Sequence, residues 1–103
     1  MIKVGDYIGG IFKKLDSNGN ESYYLNESKV KRIVSTARGT KIYTDAFYPL
    51  DLEDIEANTL DMQEAQGYII TREVFLLTEQ IRAHCEAWIQ WANAHPGNVQ
   101  VYF

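Results

Sequence analysis

Apolar and polar positions read as short strand-like runs in the first half of this chain and as one clear helical stripe beyond residue 77. Val4 to Leu15 is interrupted by Gly5, Gly9 and Gly10, which predicts an early strand with bulges or sharp bends, as where a small sheet curls. Asp16-Ser17-Asn18-Gly19-Asn20 holds an Asn-Gly pair and predicts a hairpin turn, with Glu21 to Leu25 returning antiparallel. Lys29 to Thr36 predicts the next strand, with Val30, Arg32, Val34 and Thr36 on one face and Lys31, Ile33, Ser35 and Ala37 on the other. Neither face is purely apolar, so pattern alone fixes the register poorly. Arg38-Gly39 turns the chain, and Thr40 to Phe47 follows, Ile42, Thr44 and Ala46 alternating against Tyr43, Asp45 and Phe47. Pro49 has no N–H for a ladder and is expected to end regular pairing.

Leu50, Leu52 and Ile55 can pin the next segment to the domain, but the pattern there leaves helical turn, edge strand and loop all open. Gly67 to Thr71 and Val74 to Leu77 read as extended and apolar, like a strand buried on both faces. A helix over about 79–94 is clear. Thr78 is its N-cap, Glu79 suits the positive pole, and Ile81, Cys85, Trp88, Ile89 and Ala92 form one apolar stripe. His95-Pro96-Gly97-Asn98 stops it, and Val99, Val101 and Phe103 alternate with Gln100 and Tyr102 as a short final strand. The expected fold class is α+β: a small curled antiparallel sheet or barrel of about five strands within residues 1–77, one amphipathic helix at 78–95, and a terminal strand at 99–103. With 103 residues and no internal linker, the chain is expected to form a single domain.

Composition narrows the function classes. An apolar fraction of 46% and an aromatic fraction of 13% exclude a disordered chain. A net charge of −4 disfavours general affinity for nucleic acid or an anionic membrane. The sole cysteine, Cys85, reads as a small buried apolar residue and fits a reducing compartment. No run approaches the roughly 20 apolar residues that cross a bilayer. Residues 1–6 lack an apolar signal core, so a cytoplasmic location is expected.

Charge is divided along the chain. Residues 51–64 carry Asp51, Glu53, Asp54, Glu56, Asp61 and Glu64 and no basic side chain, whereas residues 29–41 carry Lys29, Lys31, Arg32, Arg38 and Lys41 and no acid. No arrangement for catalysis accompanies them. His84 and Cys85 are adjacent and therefore point about 100° apart on a helix, which disfavours a dyad or a zinc site. His95 falls at the helix end, where a cationic ring suits the negative pole. The acidic run lacks the spacing and central glycine of a calcium loop. Gly9-Gly10 is not followed by the rest of a phosphate-binding loop. The expectation is a protein without metal or cofactor, and not an enzyme.

The run Lys3-Val4-Gly5-Asp6-Tyr7-Ile8, then Val30-Lys31-Arg32-Ile33, Gly39-Thr40-Lys41-Ile42-Tyr43 and Val74-Phe75-Leu76-Leu77-Thr78-Glu79, in that order, resembles small barrel proteins of the Src-homology-3 type encoded by phages and mobile elements of Gram-positive bacteria. That resemblance implies a barrel with a packed helix, a phage or mobile-element origin, and a bacterial host cytoplasm.

Binding is therefore the expected class. The acidic face of Asp51, Glu53, Asp54, Glu56, Asp61 and Glu64 is expected to meet a basic surface on a protein partner. Many basic grooves in a bacterial cell belong to nucleic-acid enzymes, and a compact acidic protein can occupy one by imitating phosphate spacing. With the resemblance, this implies an inhibitor of a host defence enzyme, in the manner of phage-encoded inhibitors of CRISPR nucleases. Trp91, at the edge of the helix stripe, and Tyr43 and Tyr48 are candidate contact aromatics. Two alternatives stay open: single-stranded nucleic-acid binding through Lys29, Lys31, Arg32, Arg38 and Lys41 with Tyr43, and a small-molecule sponge or sensor lined by aromatics.

Overall fold

Two glycines decide how the first strand is used. The computed structural model describes residues 2–64 and 69–96. In it β1 (Tyr7–Leu15) runs unbroken through Gly9 and Gly10, so the expected interruption does not occur. What the glycines permit is close approach. A Cβ on Gly10 would collide with the backbone carbonyl of Glu73, and one on Gly9 would collide with the carbonyl oxygen of Asn26. The segment 71–77 can therefore lie directly along β1: Thr71 bridges Ile11, Arg72 N donates to Ile11 O at 2.9 Å, and Leu77 N donates to Tyr7 O at 2.9 Å.

The Asp16–Asn20 turn forms as the sequence predicts. Asp16 Oδ1 accepts from Asn18 N at 2.8 Å and Asn20 N at 2.9 Å, and Gly19 takes φ +81°. These bonds, the one from Asn20 first, hold the Asp16 carboxyl below its ordinary 3.8. From the turn, β2 (Glu21–Lys29) pairs antiparallel along the whole of β1, longer than the predicted Glu21 to Leu25.

Lys29 to Thr36 is not one strand. Val30, 1% exposed, turns the chain from one sheet to the next: its N–H donates to Asp6 O at 2.8 Å and its carbonyl accepts from Gly5 N at 2.9 Å. Lys31 N then donates to Tyr43 O, and β3 (Arg32–Thr36) pairs with β4 (Gly39–Tyr43) across the Arg38-Gly39 turn. β4 is shorter than Thr40 to Phe47, because Thr44 Oγ1 accepts from Phe47 N at 3.1 Å and bends the chain out of the ladder. Pairing also resumes beyond Pro49, where β5 (Leu50–Asp51) lies against Lys41 and Ile42. The chain then forms α1 (Leu52–Glu64), β6 (Phe75–Leu76) and α2 (Glu79–Ala94).

The strands make two antiparallel three-stranded sheets, β2-β1-β6 and β3-β4-β5, rather than one closed barrel of about five strands. The first sheet is the middle layer. On one side Ile11, Phe75 and Leu77 pack with Ile81 and Cys85 of α2; on the other Ile8 and Val74 pack with Ile42 of β4 and Ile55 of α1. Closure fails at β6, whose outer edge is taken by helix side chains. Leu76 N donates to Thr59 Oγ1 at 2.8 Å, and Asn58 Nδ2 donates to Val74 O at 3.0 Å. A helix covering an edge satisfies its ladder groups as a further strand would.

α2 matches its predicted range. Thr78 Oγ1 accepts from Ile81 N at 3.2 Å as N-cap; Ile81, Cys85 and Ala92 are buried, and Trp88 and Ile89 are half-buried. The Trp88 ring meets Tyr23 of β2 edge-on at 5.0 Å. The predicted terminal strand at 99–103 lies outside the described residues, as does the start of the Gly67 to Thr71 run.

Candidate functional site

The acidic segment is a helix because its core-facing positions have helical spacing and its first turn is suited to one. Leu52, Ile55, Thr59 and Met62 fall at steps of three and four, so they share one face. Ile55, Thr59 and Met62 are buried. Thr59 occupies a core position without cost to its hydroxyl, which donates to Ile55 O at 2.7 Å while accepting from Leu76 N. Glu53 and Asp54 lie in the first turn, where the positive pole favours carboxylates.

The opposite face of α1 is solvated. Glu53, Asp54, Glu56, Asp61 and Glu64 are all exposed there, and Asp51 is exposed just before the helix. The structure thus brings five of the six sequence-predicted acids onto the solvated side of α1, with the sixth, Asp51, at the end of β5. Asp51 is set apart from the rest by a counter-charge. Lys41 Nζ is 2.6 Å from its Oδ1, and that bond raises the Lys41 pKa above 10.5. The β3–β4 turn leans toward the same end, with Arg38, Gly39, Thr40, Asp51, Glu53 and Asp54 lining a shallow depression of about 180 Å³. Among the described residues no ion pair reaches Glu56, Asp61 or Glu64.

The basic residues are distributed and largely engaged. Lys31 pairs with Asp45 at 3.5 Å and Lys41 with Asp51. Arg32 lies 4.4 Å from the ring centroid of Tyr43, its direct cross-strand neighbour, and Lys29 lies 6.0 Å from Tyr7. Arg38 is exposed at the turn.

The three candidate aromatics do not form one surface. Tyr43 is half-buried on β4 under Arg32; Tyr48 is 92% exposed in the loop before β5; Trp91 is 44% exposed on α2, across the middle sheet from Tyr43. The Trp91 ring stacks on His95 at 5.0 Å, and His95 Nδ1 lies 2.8 Å from Trp91 O.

Sequence reasoning passed over Leu60. It stands 57% exposed on the acidic side of α1, beside a depression of about 280 Å³ lined by Ile2, Glu56, Thr59, Leu60, Gln63 and Leu76. The available signal was Leu60's position outside the Leu52–Ile55–Thr59–Met62 stripe.

Cys85 is fully buried, and burial pushes its thiol up to about 12, so it stays protonated at neutral pH. Among the described residues no group of three His, Cys, Asp or Glu side chains is placed to hold a metal ion, and no helix is long and apolar enough to cross a membrane. Comparison with protein-family models, with curated proteins and with solved structures finds no match for this chain.

Proposed function

We propose that the protein is a non-enzymatic binding module whose α1 face docks on a basic surface of a protein partner, a nucleic-acid-dependent enzyme of a bacterial host. In this reading it acts as a phage-encoded inhibitor, occupying a groove that otherwise holds nucleic acid. The observation that carries the reading is the charge density of α1. Glu53 to Glu64 spans 11 residue steps, or about 16 Å of helix axis at 1.5 Å per residue. Five exposed carboxylates over that length stand about 4 Å apart on average along the axis. One strand of duplex DNA carries a charge about every 3.4 Å. A groove built to neutralise phosphates therefore meets similar charge on α1, on a rigid element held to the core by Ile55, Thr59 and Met62.

The positions of Asp61 and Glu64 add support. Both lie in the last turn of α1, which contains no basic residue. Carboxylates oppose the negative pole there, so the fold alone would favour cations.

The test uses capture from a bacterial lysate, with the wild-type protein and the triple variant Glu56→Lys, Asp61→Lys and Glu64→Lys. These residues avoid the first turn, where reversal would itself weaken the helix. Wild type should retain a nucleic-acid enzyme that duplex DNA or RNA displaces and that moderate salt releases. The triple variant should lose it. Capture that survives the reversal, or that nucleic acid does not compete, overturns the reading.

A further inference from the structure

A face that only imitates phosphate has no use for an exposed leucine. Leu60 is 57% exposed, yet Glu56 and Glu64 stand four residues before and after it. On a helix, residues four apart are neighbours with Cβ atoms about 5–6 Å apart. A carboxylate thus brackets Leu60 on each side along the same stripe.

Next to Leu60 lies the depression of about 280 Å³. Ile2 and Thr59 are buried, and Leu76 is half-buried. Thr59 is the polar residue among these three, and both roles of its hydroxyl are already used, donating to Ile55 O and accepting from Leu76 N. The same bond takes the Leu76 N–H. This part of the lining therefore suits an apolar group, with Glu56 and Gln63 as its polar members. A cavity of roughly 150 Å³ suffices for a benzene-sized group, so the depression has room for one large apolar side chain.

We infer that this depression is an anchor site for a basic protein segment that carries one apolar side chain between two cations. The inference rests on the proposed acidic docking face and specifies its partner. The cations pair with Glu56 and Glu64, and the apolar side chain enters beside Leu60. Charge complementarity selects the occupant: the bracketing carboxylates repel nucleic acid and acidic peptides, and an apolar anchor alone leaves them unmatched. Strand addition is not the mode here, because Thr59 and Asn58 already cover the β6 edge. Recognition runs through side chains laid along the helix, so a helical segment with Lys, Leu and Lys at successive steps of four fits the spacing.

The experiment uses two synthetic helical peptides titrated against the full chain at low salt, followed by amide chemical shifts. One carries Lys, Leu and Lys at steps of four; the other has alanine in place of the leucine. The leucine peptide should bind about tenfold more tightly, as expected for partial burial of one leucine side chain. Shifts should centre on Ile2, Leu60 and Leu76. Leu60→Ala, at an exposed position, should reduce that preference below about threefold. Glu56→Lys with Glu64→Lys should weaken both peptides. Equal affinity of the two peptides for wild type, or a preference that Leu60→Ala does not alter, overturns the anchor site. If the peptides bind equally but the double reversal abolishes both, the anchor fails and the acidic docking face stands. If neither binds, the anchor fails, and the lysate capture alone decides the docking reading.

Discussion

Asn93 of α2 pairs with Tyr23 of β2 as a neighbouring strand residue would. Tyr23 N donates to Asn93 Oδ1 at 2.8 Å, and Asn93 Nδ2 donates to Tyr23 O at 3.1 Å. One amide side chain satisfies both outward backbone groups of an edge-strand residue, across 70 positions of sequence. The contact fixes the far end of α2 to the middle sheet, one residue before the helix ends at Ala94.

Asn93→Ala should therefore lower stability by about 1–2 kcal/mol, the sum of two partly solvated hydrogen bonds. Asn93→Asp should cost at least as much, because it removes the donor and sets a carboxylate against the Tyr23 carbonyl. Urea unfolding midpoints check both. A loss confined to the Asp variant would mean that the alanine variant rebinds water at this edge at no cost.

Gly10 tests the packing of the middle sheet more severely. A Cβ there meets the backbone of Glu73 rather than a flexible side chain, so relief requires moving the segment that bridges β1. Gly10→Ala should destabilise by about 3 kcal/mol or more, the upper end for overpacking. Gly19→Ala has open space and should instead reflect only its positive φ. Thermal melts of the two variants should differ clearly, with Gly10→Ala the lower.

These elements explain what the sequence disclosed and what it hid. α2 was legible because its signals agree: Thr78 as cap, Glu79 at the positive pole, and a stripe from Ile81 to Ala92. The Asp16–Asn20 turn was legible for the same reason, since Asp16 and Gly19 act locally. α1 is ambiguous in the sequence because Thr59 interrupts its apolar stripe and Leu60 lies outside it, although Leu52, Ile55 and Met62 keep helical spacing. β5 and β6 are two residues each, too short for any alternation to show. The open architecture depends on Thr59 and Asn58 reaching the β6 edge, a contact 16 or 17 residues apart that no local pattern encodes. Of the candidate site, the acids were visible as a run, and their shared face required the helix. The Lys41–Asp51 pair required the β4–β5 register.

The buried thiol of Cys85 predicts a pH dependence. Burial raises its pKa from 9.0 to about 12. An unfolded chain loses the proton near 9.0 while the folded chain keeps it until about 12. The unfolded state then binds fewer protons, so the contribution of Cys85 is intact below pH 9 and declines as pH rises toward 12. The stability difference between wild type and Cys85→Ala should accordingly shrink between pH 8 and about 10.5. Native protein should resist a thiol reagent at neutral pH and react fully once unfolded. Rapid labelling of the native state would contradict the burial.

Asp61 and Glu64 separate stability from binding. Both carboxylates lie in the last turn of α1, at the negative pole, with no ion pair among the described residues. Asp61→Lys and Glu64→Lys should each raise stability by about 0.3–1 kcal/mol at low salt, with the gain shrinking as salt screens the pole. The same variants should weaken capture of a basic partner. A structural or merely solubilising role predicts the stability gain without the binding loss. A lower urea midpoint in both variants would instead show that these side chains make favourable contacts at the helix end. The outcome that supports docking is opposite in sign for the two measurements: a more stable fold that binds less.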